Sequence, residues 1–452
     1  MSDRFDTYEA ALDYLTKSTD YERMRRVRYN ADTFSLERMN ALLDALGRPE
    51  RLFRSVHIAG TKGKGSTAAM IEAILRRHGL RTGLYTSPHL VDMRERIQID
   101  RQWISQDAMR RHIGSVAVAV EARLAEDVPT YFEQVTAVAF LAFAEARVDV
   151  AVVEVGLGGR LDATNVLKPA VAVITSLSMD HTQQLGDTLT AIAREKAGII
   201  KLGIPAVVAP QAAEAATVVR GAAQQLTAPL IEVDKDVTWT WAPAFVEGGP
   251  ASRVTVRTPR SAYEDLRIPL AGRVQGVNTA CAVAAAEVIL GDRLDPRKLR
   301  AGFADVDWAG RMQAFPGDVT VILDGAHNAD SMEKLMEAVR DYYPRERVVW
   351  LFACAADKDV AGMLTALARA GAEVVFTRTE TARAAEPRDL ATQYEALGGR
   401  VLGRNDSPAE ATATARRALS GRGLIVICGS LYLVGEALAA PDRFGLAGRG
   451  QG

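Results

Sequence analysis

Residue type and spacing point most directly to chemistry in the stretch Gly60-Thr61-Lys62-Gly63-Lys64-Gly65-Ser66. Three glycines let the backbone curl until several N–H groups face one anion. An apolar run precedes the stretch (55–59) and a helix-like pattern follows it (68–78). At such a strand–loop–helix junction a helix N-terminus adds a positive dipole and Lys64 a full charge. The stretch reads as a phosphate cradle for a nucleoside triphosphate, against the alternative of a glycine-rich turn with an incidental lysine. It departs from the usual P-loop, because Gly65 follows Lys64 where Ser or Thr would offer a hydroxyl to magnesium. Ser66 comes one residue late, so a metal would need ligands from elsewhere in the chain.

Further polar residues fall where apolar runs end. A buried-strand pattern ends at Glu154 and continues into Gly156-Leu157-Gly158-Gly159-Arg160-Leu161-Asp162-Ala163-Thr164-Asn165. Leu161 occupies the last glycine position of a dinucleotide fingerprint and no helix follows, so that reading fails. In open parallel sheets ligands sit beyond the carboxyl ends of strands, which is where Glu154 falls; a solvated strand-end carboxylate is the plainer alternative. Of six histidines, His89, His181 and His327 each come just after a strand pattern. Pro88 biases Ser87 away from the helical region, so Ser87 could supply the oxygen that Gly65 lacks. Ser87, Glu154 and His181 would give an O, O, N ligand set, with one imidazole more than magnesium usually takes. Asp324-Gly325-Ala326-His327-Asn328 is another strand–turn–helix junction, suited to ribose or phosphate, and Arg311 could reach phosphates as a planar donor. A surface turn and a surface arginine would look the same.

The elements that must position these residues alternate along the chain. Strand-like runs at 55–59, 81–85, 150–155, 170–175 and 205–209 are separated by helical patterns at 105–125, 131–147, 187–200 and 212–225. Continuous apolar strands alternating with helices predict a mostly parallel sheet covered on both faces. Amphipathic helices are expected at 7–17 and 35–46, with Ser35 as N-cap and Gly47 as stop. The stretch 229–270 predicts short β structure in a small side sheet, followed by helices at 278–290 and 296–303. A second series has strands at 319–323, 347–353, 373–377 and 423–428 and helices at 330–342, 359–370, 387–396 and 407–419. The expected boundary lies near Trp308-Ala309-Gly310, giving domains 1–309 and 310–452, and the tail from Pro441 is expected to fray.

Composition narrows the function classes. The chain has 452 residues, 48% hydrophobic and 25% charged, with a net charge of −1. No broad basic face for nucleic acid is implied. No run is expected to reach the ~18 apolar residues of a membrane span. Cys281, Cys354 and Cys428 are odd in number and lie among apolar residues, which reads as reduced thiols in the cytoplasm.

Taken in order, these segments resemble the folylpolyglutamate synthase/dihydrofolate synthase family of the Mur ligase superfamily over nearly the whole chain. The matching segments are His57–Ser66, Thr86–Leu90 with Glu95-Arg96, Phe132–Thr136, Glu154–Asn165, Asp180-His181 and Glu195–Ile199. Gln275 with Asn278, Gly310-Arg311, Asp324–Asn328, Asp357–Asp359 and Gly429-Ser430 follow. The resemblance implies an α/β fold: a P-loop ATPase domain with a mostly parallel sheet and a small side sheet, plus a smaller Rossmann-like domain, with the reaction between them. It implies a ligase that uses ATP to join L-glutamate to the γ-carboxylate of a folate, or to dihydropteroate, through an acyl phosphate.

By the same resemblance the loop Gly60, Thr61, Lys62, Gly63, Lys64, Gly65 and Ser66, with Asn278, Arg311 and Asp324, would bind ATP. Ser87, Glu154 and His181 would hold magnesium. Lys196 would be carbamylated and hold a second magnesium; a helix-surface lysine paired with carboxylates is the alternative. Thr130, Tyr131, Phe132 and Glu133, with Leu161, Asp162 and Ala163, would line the pterin site, and His327 and Ser430 would meet glutamate. Catalysis would rest on Lys64, Lys196 and His327. Family members are mostly monomeric, and neither nucleic acid nor membrane is an expected partner. Lys62 stands where many bacterial members carry asparagine, and Ala355-Ala356 stand where glycine is usual before Asp357-Lys358-Asp359. A dihydrofolate synthase, a Mur-type peptidoglycan ligase and a catalytically silent binding protein remain as alternatives.

Overall fold

In the computed structural model, residues 4–20, 34, 36–124, 127–246 and 249–446 are described. Ser35, expected as an N-cap, lies outside them, as do residues 447–452. The chain divides into two compact units.

The first unit comprises Met1–Trp239, Thr255–Glu264 and Val277–Phe303. Its strands are β1 (Arg54–Ala59), β2 (Thr82–Tyr85), β3 (Ile97–Ile99), β4 (Gln102–Trp103), β5 (Val150–Glu154), β6 (Val171–Ile174), β7 (Ala206–Val208) and β8 (Leu230–Glu232). They form one sheet in the order β4-β3-β2-β5-β1-β6-β7-β8. The pairs from β2 to β8 are parallel, and β3 and β4 add an antiparallel edge. Every residue of β5 and β6 is buried, as expected for strands covered on both faces. Because β1 lies between β5 and β6, the loops after these three strands are neighbours, and the loop after β2 follows one strand away. This is the crevice at which open α/β sheets bind ligands.

A three-stranded sheet follows, β11-β10-β9, from β9 (Thr238–Val246), β10 (Gly249–Arg257) and β11 (Ala262–Ile268). β8 pairs parallel to β7, so the side sheet starts later than the expected 229.

The second unit comprises Thr240–Val254, Asp265–Gly276 and Ala304–Gly452. This second unit takes in the expected later domain, 310–452, and two earlier segments besides. Segments 240–254 and 265–276 belong with the later part because they pack there: the Tyr342 hydroxyl donates to Ala251 O at 2.6 Å and accepts from Gly272 N at 3.2 Å. Phe245 meets the same ring edge-on at 5.7 Å. The six-stranded sheet of this unit runs β12-β13-β17-β14-β15-β16, with β12 (Gln313–Phe315), β13 (Val319–Leu323), β14 (Val348–Phe352), β15 (Glu373–Phe376), β16 (Arg400–Arg404) and β17 (Gly423–Cys428). All pairs but β12–β13 are parallel.

Three further expectations need correction. The helix at 278–290 begins at Val274, and Val274–Arg293 is long and apolar enough to cross a membrane, contrary to the composition reading. Since 78% of that window is buried inside the protein, length and apolarity here serve a core helix. The expected fraying from Pro441 does not hold for Pro441–Phe444, which is helical, with Phe444 and Leu446 buried. β4 and β16 went unexpected because these edge strands carry polar or charged residues, and β3 and β12 because three residues are too few to give an apolar run.

Candidate active site

In the first unit, β1 runs into the Gly60–Ser66 loop, and the helix Lys64–Arg77 grows from it. Gly60 has φ +157°, and a Cβ there would lie 1.8 Å from Thr175 Oγ1; only glycine lets the end of β1 pass that close to the end of β6. Gly63 precedes the helix at φ +84°, and a Cβ would meet Asn278 Oδ1 at 2.3 Å, so Asn278 lies directly against the loop. Thr61 N–H and Lys62 N–H both donate to Ser176 O, at 3.0 and 3.1 Å. These bonds fix the loop with the first helical N–H groups, which have no intrahelical acceptor, at its open end.

Charged groups surround the loop. The Lys64 ammonium stands 3.7 Å from Glu154 Oε1, and Lys62 Nζ donates to Asp180 Oδ2 at 3.1 Å. Glu154 ends β5 and its other oxygen accepts Ser87 N–H at 3.3 Å. His181 adopts a left-handed conformation and donates its N–H to the Asp180 carboxylate at 3.0 Å. Gly60, Thr61, Lys64, Gly158, Asp180, His181 and Lys196 line one concavity.

Lys196 is the unusual member. It is 5% exposed, and its ammonium reaches the Gly158 carbonyl at 3.5 Å. Burial, aided by the neighbouring Lys64 charge, pushes its pKa down to about 7. A lysine on this helix is thus not a surface lysine.

The loop 156–165 that faces Lys196 is interlocked with the helix Leu189–Ala197. A Cβ on Gly159 would lie 2.6 Å from Glu195 O, and one on Gly198 would lie 2.6 Å from Arg160 Cα. Arg160 N–H donates to Glu195 O at 2.8 Å while its guanidinium pairs with the Glu195 carboxylate at 2.9 Å. Asn165 donates to Arg160 O at 2.9 Å and Gly198 O at 3.2 Å, and accepts Lys201 Nζ at 2.7 Å.

The residues expected to line a pterin divide into two kinds. A Cβ on Gly156 would touch the Phe132 ring at 2.5 Å, so that ring lies over the start of the loop. Tyr131 and Thr130 are buried, and Leu161 and Ala163 flank Asp162 in the loop. The two carboxylates serve the backbone instead. Glu133 accepts Thr130 N–H at 2.7 Å in a capping box and two Arg38 donors at 2.8 and 2.9 Å. Asp162 accepts Leu157 N–H at 2.9 Å and Thr164 N–H at 3.0 Å, while burial pushes its pKa up.

Among the described residues no three His, Cys, Asp or Glu side chains form a metal cage. One carboxylate beside a serine, with an imidazole on the same concavity, suits magnesium that draws its other ligands from phosphate oxygens and water. The donor set fits on those terms.

In the second unit the predicted residues gather at the carboxyl ends of β13 and β17. Asp324 accepts Met312 N–H at 2.9 Å and Ala326 N–H at 2.8 Å, and burial pushes its pKa up. A Cβ on Gly325 would lie 2.6 Å from Arg311 Nη1, so that guanidinium lies against the Asp324–His327 turn. His327 Nδ1 lies 2.7 Å from Gly325 O, which assigns a proton to Nδ1. Ser430 caps the helix Leu431–Ala439 by accepting Tyr432 N–H at 3.1 Å.

Sequence reasoning left Ser176, Gly158 and Arg38 out of the candidate site. The first two act through backbone carbonyls, which residue type does not reveal. Arg38 acts through a partner 95 residues away.

Comparison with known proteins places this geometry. A family model described as Mur ligase middle domain matches residues 58–286, and one described as Mur ligase, glutamate ligase domain matches residues 310–431. The chain is 34% identical to a Bacillus subtilis protein named dihydrofolate synthase/folylpolyglutamate synthase, over 89% of this chain and 93% of that one. It is 35% identical to a Haloferax volcanii protein named probable bifunctional folylpolyglutamate synthase/dihydropteroate synthase, over 92% of this chain but 49% of that one. The chain thus spans about half the length of the Haloferax relative. Crystal structures of a Mycobacterium tuberculosis folylpolyglutamate synthase complexed with ADP and AMPPCP match at TM-score 0.84 and 36% identity, covering 92% of this chain and 96% of that one.

Proposed function

Because the chain belongs to the folylpolyglutamate synthase/dihydrofolate synthase family of the Mur ligases, we propose that it adds L-glutamate to a folate in an ATP-dependent, ADP-forming ligation. The observation that carries this reading is the concavity shared by the phosphate loop, Lys64 and the buried Lys196.

A carboxylate is a poor electrophile, so the folate carboxylate first takes the γ-phosphoryl group of ATP and ADP leaves. The glutamate amine then attacks the acyl phosphate, the amide forms, and inorganic phosphate leaves with the amine proton lost to solvent. Such phosphoryl transfer depends on positioning and charge neutralisation. The Gly60–Ser66 N–H groups and Lys64 hold the β- and γ-phosphates, with Asn278 against the same loop. Ser87, Glu154 and His181 would hold magnesium, which supplies charge neutralisation when bound. Phe132 and the Leu161–Ala163 segment receive the pterin, and His327 and Ser430 receive glutamate.

Lys196 is the site of a carbamate in this reading. With its pKa pushed down to about 7, it carries far more free amine at neutral pH than an exposed lysine does. The amine adds CO2 and releases a proton, turning a cation beside Lys64 into an anion that would hold a second magnesium.

The three buried, unpaired cysteines fit a reducing compartment, so we place the enzyme in the cytoplasm. The test is glutamate-dependent ADP release with tetrahydrofolate and dihydropteroate supplied separately. Release with tetrahydrofolate is the expected result. Release with both adds dihydrofolate synthase activity, which the double name of the Bacillus subtilis relative favours. Silence with both overturns the proposal.

A further inference from the structure

His57 sits within β1, with no solvent exposure, three residues before the phosphate loop. A buried imidazole among apolar neighbours is costly unless its polar atoms are bonded. Its Nε2 lies 2.8 Å from Thr164 Oγ1. That hydroxyl donates its own proton to Asp162 Oδ1 in a short hydrogen bond, so it has only lone pairs to offer His57. The imidazole proton is therefore assigned to Nε2, and Nδ1, which has no hydrogen-bond partner, carries a lone pair. The opposite polarity would require a protonated Asp162; burial favours that form, but the Leu157 and Thr164 backbone N–H groups and the Thr164 hydroxyl all favour the carboxylate. It would also leave an N–H orphaned at Nδ1, the rarer kind of unsatisfied group. Burial first, and the Lys201 ammonium second, keep the ring neutral by pushing its pKa down to about 3.

A chain of hydrogen bonds thus runs His57 → Thr164 → Asp162 through the interior. It starts on the strand that ends in the phosphate loop and finishes on the carboxylate that shapes the loop facing Lys196. The other pins of that loop, through Arg160 and Asn165, reach the helix Leu189–Ala197 and the turn after it. We propose that His57 is a positioning residue for the ligase reaction: through Thr164 it holds Asp162, and with it the Leu161–Ala163 segment, in register with the phosphate loop built on the same strand. The proposal rests on the ligase reading for its substrate. It assigns His57 and Thr164 to the fit of the folate and not to that of the nucleotide.

The experiment compares Thr164→Val, which keeps the shape and removes the hydroxyl, with Thr164→Ser, which keeps the hydroxyl. Thr164→Val is expected to raise KM for the folate about tenfold and to leave KM for ATP within about twofold. Thr164→Ser is expected to stay within about threefold of the parent in both. A Thr164→Val variant that shifts neither constant, or both by the same factor, overturns the proposal. Nitrogen-15 NMR of His57 in the unsubstituted enzyme needs neither a folded variant nor turnover. It is expected to show a neutral Nε2–H ring throughout pH 5 to 8, and an Nδ1–H ring or a protonation step in that range overturns the proposal. If the unsubstituted enzyme releases no ADP with any folate, the ligase reading fails; if it is active, the split between the two KM values judges His57 alone.

Discussion

The carboxyl ends of the two parallel sheets are built to opposite plans. Around β1, β5 and β6, three lysines stand on or beside one concavity, two of them facing Asp180 or Glu154 and the third almost fully buried. Around β13 and β17, Asp324, Asn328 and Ser430 spend their oxygens on nearby backbone N–H groups. The first arrangement gathers cations around one concavity, two of them facing carboxylates, where an arriving polyanion can share them. The second is already satisfied without a ligand. Concentrated charge marks where binding and chemistry are driven; local satisfaction marks where a turn is held ready.

Substitutions should separate the two plans. Lys64→Ala is expected to lower kcat about 10²-fold or more with little change in melting temperature, read by steady-state ADP release. A loss of only a few fold would remove the contrast, because the cation would then be structural. Lys196→Met is expected to lower kcat about tenfold or more and to abolish incorporation of labelled bicarbonate, read by carbon-13 NMR. The sign with pH follows from the amine: below about 7 the side chain is protonated and cannot add CO2, so labelling should fall as pH falls through that value. Incorporation that ignores pH would place the carbamate elsewhere.

On the other sheet the effects move to stability. Asp324→Ala leaves the Met312 and Ala326 N–H groups without their acceptor and is expected to cost about 1–3 kcal/mol in urea unfolding. Asn328→Ala removes the cap that accepts Ser331 N–H at 2.9 Å and is expected to cost about 1 kcal/mol. Its kcat per folded molecule should stay within about twofold. A large loss of kcat with no loss of stability would mean that Asn328 itself takes part in the chemistry beside His327.

Much of this was legible in the chain. Apolar runs located the buried parallel strands β1, β5, β6, β13 and β17, because a strand covered on both faces must be apolar throughout. Glycine spacing located the phosphate loop, and a glycine turn after an apolar run located Glu154 at a strand's carboxyl end. The polar edge strands β4 and β16, the three-residue strand β12 and the start of the helix at Val274 were not legible, because pairing and tertiary packing decide them more than composition does.

What the sequence determined by itself is the set of loops that carry chemistry and their order, since glycine, proline and apolar periodicity act locally on the backbone. Tertiary structure alone decided which of those residues share a concavity, because β1 is inserted between β5 and β6 and brings together segments some hundred residues apart. It also decided their charge and their role. Lys196 is a lysine of ordinary basicity until burial and the nearby Lys64 lower its pKa. Glu133 and Asp162 turn from free carboxylates into backbone acceptors only once the helix and loop they hold have formed.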